Sequence, residues 1–335
     1  MKVLYFLGEE WEEEYVEEKL DGVDVEIFSG PIQDYPDLHD DEVEVLSVFI
    51  KSHVGAEEMD KFPNIKLIAT RSTGFDHIDL EEAKKRGIIV SNVPSYGANT
   101  VAEYAFALLL SLSRKIPESY EQVRETGSFS QKGLRGFDLK GKTLGVVGCG
   151  NIGVHAIIMG KGFGMEVIVS DPHQNEEVRA ELGFKYVSLD ELLASSDIIT
   201  IHAPYNEHTH HLINSENINK IKRGAYLINT ARGAIIETEA LIRGLKEGII
   251  AGAGLDVIEE EGVMMGDETE LIYGEHPNEE GLKTVLANHY LIDHPRVLVV
   301  PHNAFNTEEA LRRIIDTTIE NIKSFQEGNP SNVIK

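Results

Sequence analysis

The sequence has little cysteine and tryptophan and a shortage of positive charge. Its 335 residues include one cysteine and one tryptophan, and 31 lysine and arginine residues stand against 57 aspartate and glutamate residues. With Cys149 alone, no disulfide can form within the chain, which favours a reducing compartment. The formal net charge of −26 repels nucleic acid and anionic membrane surfaces, so neither is expected as a partner.

Long apolar runs are also missing. No segment approaches the roughly 18 consecutive apolar residues of a membrane-spanning helix. The N-terminal stretch MKVLYFLGEEWEEEYVEE lacks the apolar region and cleavage site of a signal peptide. We therefore expect a cytoplasmic protein. Because the length exceeds the roughly 250–300 residues that one hydrophobic core supports, two domains are expected.

Short apolar segments alternate with charged, helix-forming segments along most of the chain. One series runs from KVLYFL to IIVSNVP, and a second runs from TLGVVG to VLVVPH. This alternation predicts parallel α/β sheets. Residues 99–116 predict a long apolar helix that is buried between domains or subunits, and the last helix is expected to return to the first domain. The predicted domains are 1–98 plus 304–335 and 99–303.

The first helix is expected to turn its acidic residues to solvent. Residues 9–18 contain many glutamates, with Trp11 and Tyr15 as the aromatic residues among them. We predict that Trp11 and Tyr15 pack inward and that the acidic face is solvated.

A glycine pattern follows the first strand of the second series. Gly148, Gly150 and Gly153 form G-x-G-x-x-G where a strand turns into a helix. In such a loop the first glycine permits a tight turn, the second lets the backbone approach a pyrophosphate, and the third lets helix and strand pack closely. Asp171 ends the next strand, 18 residues after Gly153, where an acid can bind a ribose 2′-hydroxyl and repel a 2′-phosphate. The pattern predicts a dinucleotide site that prefers NAD to NADP.

Two further residues follow apolar, strand-like segments. Arg232 ends YLINTAR, and His302 follows VLVVP. Ligands bind at the carboxyl ends of strands in open α/β folds, and arginine can hold a carboxylate through two hydrogen bonds. Taken alone, Arg232 could equally be a surface residue in a turn. A histidine such as His302 more often closes a buried strand than carries out chemistry.

Six segments occur in the order found in the D-2-hydroxyacid dehydrogenases, namely STGFDHID, GCGNIG, HAPYNEHTHHLIN, NTARG, AGAGLDV and PHNAFNT. The chain resembles this family over nearly its whole length. It is most similar to the D-lactate dehydrogenase branch, whose PH-x-A-F/Y-x-T context is matched by residues 301–307. The resemblance implies an α/β fold of two doubly wound parallel-sheet domains, a flavodoxin-like substrate domain and a Rossmann cofactor domain, with a cleft between them. It also implies NAD as cofactor and the reduction of pyruvate to D-lactate.

The resemblance further assigns roles to individual residues. Arg232 would hold the substrate carboxylate, His302 would be the acid and base, and Glu261 would be the carboxylate paired with His302. Because Glu259 and Glu260 directly precede Glu261, either of them is an alternative partner. The substrate residues that the resemblance implies in the first domain are Phe49, Thr73, Gly74 and Tyr96. The cofactor residues that it implies are Gly148, Gly150, Asn151, Ile152, Gly153, Asp171, Ala203, Pro204, Thr209, Thr230, Ala231 and Asp256.

The remaining histidines are not expected to be catalytic. His208, His210 and His211 could suggest a metal site, but no cluster of acidic residues accompanies them, and the resemblance places them in a cofactor-side loop. No metal is therefore expected. His77 and His202 are expected to be structural.

Alternatives to a D-lactate dehydrogenase stay open. A reductase of glyoxylate, hydroxypyruvate or a bulkier 2-oxo acid would differ only in the shape of its pocket. An NAD-sensing binding protein, like the corepressors that share this fold, would retain the same three catalytic-type residues, although the net charge of −26 disfavours it. A formate dehydrogenase is disfavoured because Glu261 stands where such an enzyme carries glutamine. The apolar helix at 99–116 and the turn-rich segment after it also predict a homodimer built on the cofactor domain.

Overall fold

The computed structural model describes residues 1–8, 10–261 and 279–334. The chain divides into two compact units, of which the first comprises Met1–Gly97 and Asn306–Lys335 and the second comprises Ala98–Phe305. Each unit contains one sheet in which every strand pair is parallel, so the predicted α/β fold class with two parallel-sheet domains is confirmed. Among the described residues, none of the helices combines the length and the apolar character needed to cross a bilayer.

The first unit is built on a five-stranded sheet. The strands span Lys2–Phe6 (β1), Asp24–Phe28 (β2), Val43–Val48 (β3), Leu67–Thr70 (β4) and Ile89–Ser91 (β5). They are paired in the order β2-β1-β3-β4-β5. The helices described in this unit are Glu10–Lys19 (α1), Ala56–Asp60 (α2), Leu80–Lys85 (α3) and the C-terminal Glu308–Gln326 (α11).

The C-terminal helix α11 completes the core of the first unit. Its residues Ile315, Ile319 and Ile322 are spaced by four and three positions, which places them on one face of the helix. These three side chains belong to the same buried cluster as Val3 of β1 and Leu67 of β4. The last helix of the chain therefore packs on the sheet formed by its first residues.

The first helix buries Glu12, whereas Trp11, which was expected to pack inward, is exposed. Trp11 is 44% exposed, whereas Glu12 and Val16, one turn apart, are buried. The prediction that Trp11 packs inward is wrong because Arg71, directly after β4, is also buried and needs a negative partner. Arg71 Nη1 lies 2.9 Å from Glu12 Oε2 and donates to the Tyr5 hydroxyl at 2.7 Å. A buried charge is retained only when it is paired and hydrogen-bonded, and this pairing decides which face of α1 turns inward.

The second unit is built on a seven-stranded sheet. The strands span Thr143–Val147 (β6), Glu166–Ser170 (β7), Lys185–Tyr186 (β8), Ile198–Ile201 (β9), Ala225–Asn229 (β10), Ile250–Leu255 (β11) and Val297–Val299 (β12). Their spatial order is β12-β11-β10-β9-β6-β7-β8. After β6 the chain adds β7 and β8 on one side and then returns to add β9 on the other. The carboxyl ends of the neighbouring strands β6 and β9 thus form a topological switch point, which is where open α/β sheets bind ligands.

The long apolar helix is present and is followed by a second helix. The helices described in this unit are Ala98–Arg114 (α4), Ile116–Thr126 (α5), Asn151–Gly162 (α6), Glu176–Leu182 (α7), Leu189–Ser195 (α8), Thr238–Lys246 (α9) and Glu279–Ile292 (α10). Helix α4 buries much of its apolar surface, in keeping with its sequence. It ends before residue 116 because Lys115 adopts a left-handed φ of 54°, and Pro117 lies in the first turn of α5.

Candidate active site

The predicted site residues of the second unit gather at one edge of its sheet. Because the strands are parallel, their carboxyl ends share that edge. Each of six strands is followed within three positions by a residue to which the sequence assigns a role. In spatial order from β12 to β7 these residues are His302, Asp256, Arg232, Ala203, Gly148 and Asp171. The expected acid and the expected carboxylate anchor therefore lie towards one end of the edge, and the glycine loop with its acid lies towards the other.

The three glycines of the loop differ in what surrounds them. Gly148 has a φ of 92°, and a β-carbon there would lie 2.8 Å from the backbones of His202 and Ala203. A β-carbon on Gly153 would lie 2.0 Å from the carbonyl oxygen of Gly148. At Gly150, by contrast, a β-carbon would meet no atom within 4 Å. The first and third glycines are thus required by the packing of the chain itself, whereas the second borders open space.

The open space beside Gly150 has the features of a dinucleotide site. Helix α6 begins at Asn151, so its first backbone N–H groups adjoin this space and favour a negatively charged ligand. The carboxylate of Asp171 is held by the backbone N–H groups of Cys149 and His173, each at 2.6 Å. A pocket of about 690 Å³ is lined by Cys149, Gly150, Asp171, His173 and the start of α7. Asp171 therefore stands in the wall of a pocket large enough for part of a nucleotide.

The loops after β9 and β10 carry the other predicted cofactor residues. Thr209 folds back on the first of these loops, because its Oγ1 donates to the carbonyl oxygen of Pro204 at 2.6 Å. Thr230 directly follows β10, and its Oγ1 is buried without a hydrogen-bond partner among the described residues. A buried hydroxyl usually finds a partner, so this one fits a site that a bound group completes. The loops fit a bound NAD, and the individual roles of these residues stay predictions.

Asp256 anchors the turn that carries His302. Its two carboxylate oxygens accept hydrogen bonds from the backbone N–H groups of Asn303 at 2.7 Å and Ala304 at 3.1 Å. The backbone N–H of His302 donates to the carbonyl oxygen of Asp256 at 2.9 Å. Burial raises the pKa of the Asp256 carboxyl above its ordinary value. The resemblance placed Asp256 among the cofactor residues, and this structural role was not predicted.

His302 is paired with one of the three adjacent glutamates. Its Nδ1 lies 2.8 Å from Oε1 of Glu261. Because an ionised carboxylate can only accept, Nδ1 carries the proton in this pair and Nε2 is the nitrogen left for other contacts. Glu259 instead lies 2.6 Å from Nε2 of His211, and Glu260 is exposed. The resemblance had favoured Glu261, with Glu259 and Glu260 as alternatives. The pairing of His211 with Glu259 was not predicted, and the HTHH segment was its single signal in the sequence.

Arg232 lies in a turn that is shaped by the buried Asn229. The Asn229 side chain donates to the carbonyl oxygen of Arg232 at 2.9 Å and accepts from the backbone N–H of Ala231 at 3.0 Å. A β-carbon on Gly233 would lie 2.0 Å from the backbone of Ile258. The turn with the expected carboxylate anchor therefore packs directly on the segment that leads to Glu261.

The predicted substrate residues of the first unit follow its strands in the same way. Phe49 comes directly after β3, Thr73 and Gly74 follow β4, and Tyr96 follows β5. Thr73 Oγ1 donates to the carbonyl oxygen of Val93 at 2.7 Å, which fixes the loop after β4. The roles of these four residues stay predictions.

His77 and His202 lie in polar contacts of an ordinary kind. Nε2 of His77 lies 3.0 Å from Oγ1 of Thr70, and Nε2 of His202 lies 2.9 Å from Oγ1 of Thr200. Burial lowers the pKa of His202 to about 4, so this ring is neutral near pH 7. Within residues 1–8, 10–261 and 279–334, no group of three or more histidine, cysteine, aspartate or glutamate side chains could hold a metal ion.

The contrast between two of the glycines is testable. Gly150→Ala should fold as stably as the wild type, because its β-carbon meets no atom and its φ is −74°, but it should bind NADH at least about tenfold more weakly. Gly153→Ala should lower the midpoint of thermal unfolding, since its β-carbon overlaps a backbone oxygen. Fluorescence titration with NADH and thermal unfolding measure the two effects. Equal NADH affinity of Gly150→Ala and wild type would show that the dinucleotide lies elsewhere.

The comparisons with known proteins agree with this geometry. A family model described as the NAD-binding domain of D-isomer specific 2-hydroxyacid dehydrogenases matches residues 106–304. A 2-hydroxyacid dehydrogenase homolog of Haemophilus influenzae is 35% identical over 332 residues, which cover 98% of this chain and 97% of that protein. An aromatic 2-oxoacid reductase of Clostridium sporogenes is 40% identical and covers 84% and 82% of the two chains.

A solved structure shares the architecture of the whole chain. D-lactate dehydrogenase from Aquifex aeolicus, complexed with NAD and lactic acid, is 35% identical with a TM-score of 0.86. The match covers 98% of this chain and 96% of that one. This chain belongs to the family of D-isomer specific 2-hydroxyacid dehydrogenases and is an NAD-dependent oxidoreductase.

Proposed function

We propose that this protein is a D-lactate dehydrogenase, which reduces pyruvate to D-lactate with NADH as the hydride donor. The observation that carries the proposal is the His302–Glu261 pair, which lies on the same sheet edge as Arg232 and the glycine loop. One edge thus offers a proton donor, a cation for a carboxylate and a dinucleotide site. The likeness to D-lactate dehydrogenase over nearly the whole of both chains supports the choice of substrate.

Arg232 is proposed to hold the carboxylate of the substrate. A guanidinium offers a planar fork of N–H donors that matches a carboxylate, and it stays charged at all physiological pH values. The net charge of −26 disfavours any approach of an anion, so a local cation is needed to bind one. In the first unit, backbone N–H groups of Thr73 and Gly74 are proposed as further donors to a substrate carboxylate.

His302 is proposed to donate a proton to the carbonyl oxygen of the substrate. Glu261 accepts from Nδ1, so it fixes the orientation of the ring and directs Nε2 towards a ligand. Its negative charge also stabilises the imidazolium that must be present before the proton is given. In the reverse direction the neutral ring would take the proton from the hydroxyl of D-lactate.

The cofactor residues are proposed to hold NAD along the sheet edge. Gly148, Gly150 and the start of α6 would face the pyrophosphate, and Asp171 would bind the adenosine ribose and exclude a 2′-phosphate. When bound, NADH supplies the hydride for the carbonyl carbon. Asp256 keeps the His302 turn in place through Asn303 and Ala304 while the proton is transferred.

Pocket shape is what separates the candidate substrates within the family. Phe49, which is proposed to face the methyl side of pyruvate, has its ring centre 5.6 Å from the guanidinium carbon of Arg71. Arg71 is itself fixed by the buried pair with Glu12, so the Phe49 ring lies against a rigid support. A fixed aromatic ring there favours a small substrate side chain over a bulky one.

A panel of 2-oxo acids tests this function. Oxidation of NADH should show its highest kcat/KM with pyruvate, above glyoxylate, hydroxypyruvate and phenylpyruvate, and chiral chromatography should find D-lactate. His302→Ala should lower kcat by about 10²–10⁴-fold, because no positioned proton donor remains. The control His39→Ala, at an exposed histidine of the first unit, should behave as the wild type. A higher kcat/KM with another 2-oxo acid would move the assignment to that reductase, and NADH oxidation with none of them would refute it.

A homodimer is part of the proposal, built through the second unit. Helix α5 has no buried residue within the described chain. Its apolar residues Ile116, Tyr120 and Val123 are 56%, 62% and 40% exposed, and their spacing of four and three positions places them on one face. Phe129 shortly after it is 87% exposed. An apolar face of this size in contact with water is typical of an interface. A second copy of the chain can cover it by meeting the same face across a two-fold axis.

Light scattering at micromolar concentration tests the dimer. The wild type should have the mass of two chains, and the double variant Tyr120→Glu, Val123→Glu should be monomeric because each copy would bring two carboxylates into the buried interface. Trp11→Glu, at an exposed apolar residue of the first unit, should remain a dimer. A monomeric wild type would contradict the proposal.

The proposal also includes the surroundings in which the enzyme works. A single cysteine suits a reducing compartment, and we place the protein in the cytoplasm. The net charge of −26 supports a small-molecule enzyme without a nucleic-acid or membrane partner.

A further inference from the structure

Both carboxylate oxygens and the backbone oxygen of Glu259 accept hydrogen bonds. Its Oε2 accepts from the backbone N–H of Thr238 at 2.7 Å and from the Thr238 hydroxyl at 2.5 Å. Its Oε1 accepts from Nε2 of His211 at 2.6 Å. Its backbone oxygen accepts from the side chain of the buried Asn288 at 2.6 Å. Three separate segments of the chain therefore hold this one residue.

These contacts join two loops that carry expected site residues. His211 follows the loop with Pro204 and Thr209, and its backbone N–H donates to the carbonyl oxygen of Ala234 at 2.8 Å, two residues beyond Arg232. Glu259 lies two residues before Glu261. The His211–Glu259 pair thus links the loop after β9 to the loop after β11, and both loops follow strands of the same sheet.

The backbone at this place is strained in three residues. Six non-glycine residues in the described ranges have a positive φ, and among them are His211 at 48°, Glu260 at 52° and His302 at 47°. Residues other than glycine rarely adopt this left-handed backbone conformation, and it persists only where the surrounding structure enforces it. The left-handed Glu260 turns the chain so that Glu259 meets His211 while Glu261 meets His302.

The negative charge of Glu259 also has a fixed place beside a helix. Helix α9 begins at Thr238, and its N-cap residue Glu237 makes no side-chain capping hydrogen bond. Glu259 caps the helix from outside, and the positive end of the helix dipole stabilises an ionised carboxylate there. His211 Nε2 is therefore the donor in its bond with Glu259.

We propose that His211 and Glu259 are positioning residues for the proton donor, a role that rests on the proposed function of His302. Together they fix the 259–261 turn so that Glu261 meets Nδ1 of His302 and holds the proton on that nitrogen. Neither residue touches the reacting atoms in this role. When the His211–Glu259 bond is lost, the strained Glu260 relaxes, Glu261 leaves its place, and the His302 ring loses its single tautomer.

The tautomer of His302 is the most direct readout. In ¹⁵N NMR spectra of the protein without added cofactor, at a pH where the ring is neutral, wild-type His302 should be protonated at Nδ1. Its signal is identified by its absence from the spectrum of His302→Ala. His211→Leu and Glu259→Leu should give a mixture of Nδ1-protonated and Nε2-protonated rings. His211→Gln, which keeps a donor at the position of Nε2, should restore the wild-type spectrum.

Kinetics give a second readout. His211→Leu should lower kcat by about tenfold, because a displaced proton donor slows the chemical step, while KM for pyruvate changes less than about twofold. Glu247→Gln is the control, since it removes the same charge at an exposed side chain of the same unit, and it should leave both readouts unchanged. Circular dichroism confirms that each variant is folded at the temperature used.

The outcomes separate this inference from the proposed function. If His211→Leu and Glu259→Leu keep the wild-type tautomer and kcat, the positioning role is refuted even though the enzyme is active. If the wild type reduces no 2-oxo acid, the proposed function fails, whereas the NMR spectra still decide whether His211 and Glu259 hold the His302 ring. If Glu259→Leu does not fold, the spectra of His211→Leu and His211→Gln decide between the two results.

Discussion

The in-register parallel pairing of the second sheet is the constraint on which the site depends. The pairing joins the last residues of six neighbouring strands directly, namely Ser170, Val147, Ile201, Asn229, Leu255 and Val299. Six loops therefore leave the sheet at the same height and in a fixed lateral order. The pairing of the strands thus brings residues that are far apart in the sequence to the same edge. A shift of one residue in a single strand would turn its side chains to the opposite face and remove its loop from the edge.

Polar contacts fix the conformations of the loops that leave this edge. Asp256 fixes the turn of His302 through two backbone N–H groups, and Asn229 fixes the turn of Arg232 through one backbone carbonyl oxygen and one backbone N–H. Gly233 lets the Arg232 turn pack on the backbone of Ile258. Arg232, the cation proposed to bind an anionic substrate, is thus built into a turn. Because salt screens exposed charges beyond about 8 Å, such local groups can bind an anion on a protein with a net charge of −26.

The parts of this structure that sequence predicts well are those that depend on local pattern. The glycine loop and Asp171 are recognisable because their tasks are met within one strand–helix–strand unit. Arg232 and His302 are recognisable only as residues after strands, and the family resemblance supplied their roles. Among the three glutamates, the family resemblance favoured Glu261 as the partner of His302 and left Glu259 and Glu260 as alternatives, because adjacent residues of one type differ in sequence only by their position; the structure pairs Glu261 with His302.

The first helix shows the same limit for packing. An apolar pattern favours an inward-facing Trp11, but a buried arginine that follows β4, 59 residues after Glu12, selects the glutamate in its place. Helical periodicity carries no information about a charge on a distant strand. Helix α5, directly after α4, was not predicted, although Ile116, Tyr120 and Val123 have the spacing of one helical face.

The measurement that tests the paired-acid site most directly is the pH profile of pyruvate reduction for wild type and Glu261→Gln. Reduction requires the protonated His302 ring, so activity should hold at low pH and fall as the ring loses its proton. Without the neighbouring negative charge the imidazolium that donates the proton is less stable, so the fall in activity should move to lower pH, with much activity recovered in acid. An unchanged midpoint in Glu261→Gln would contradict the assignment of His302 and Glu261 as the proton-donating pair.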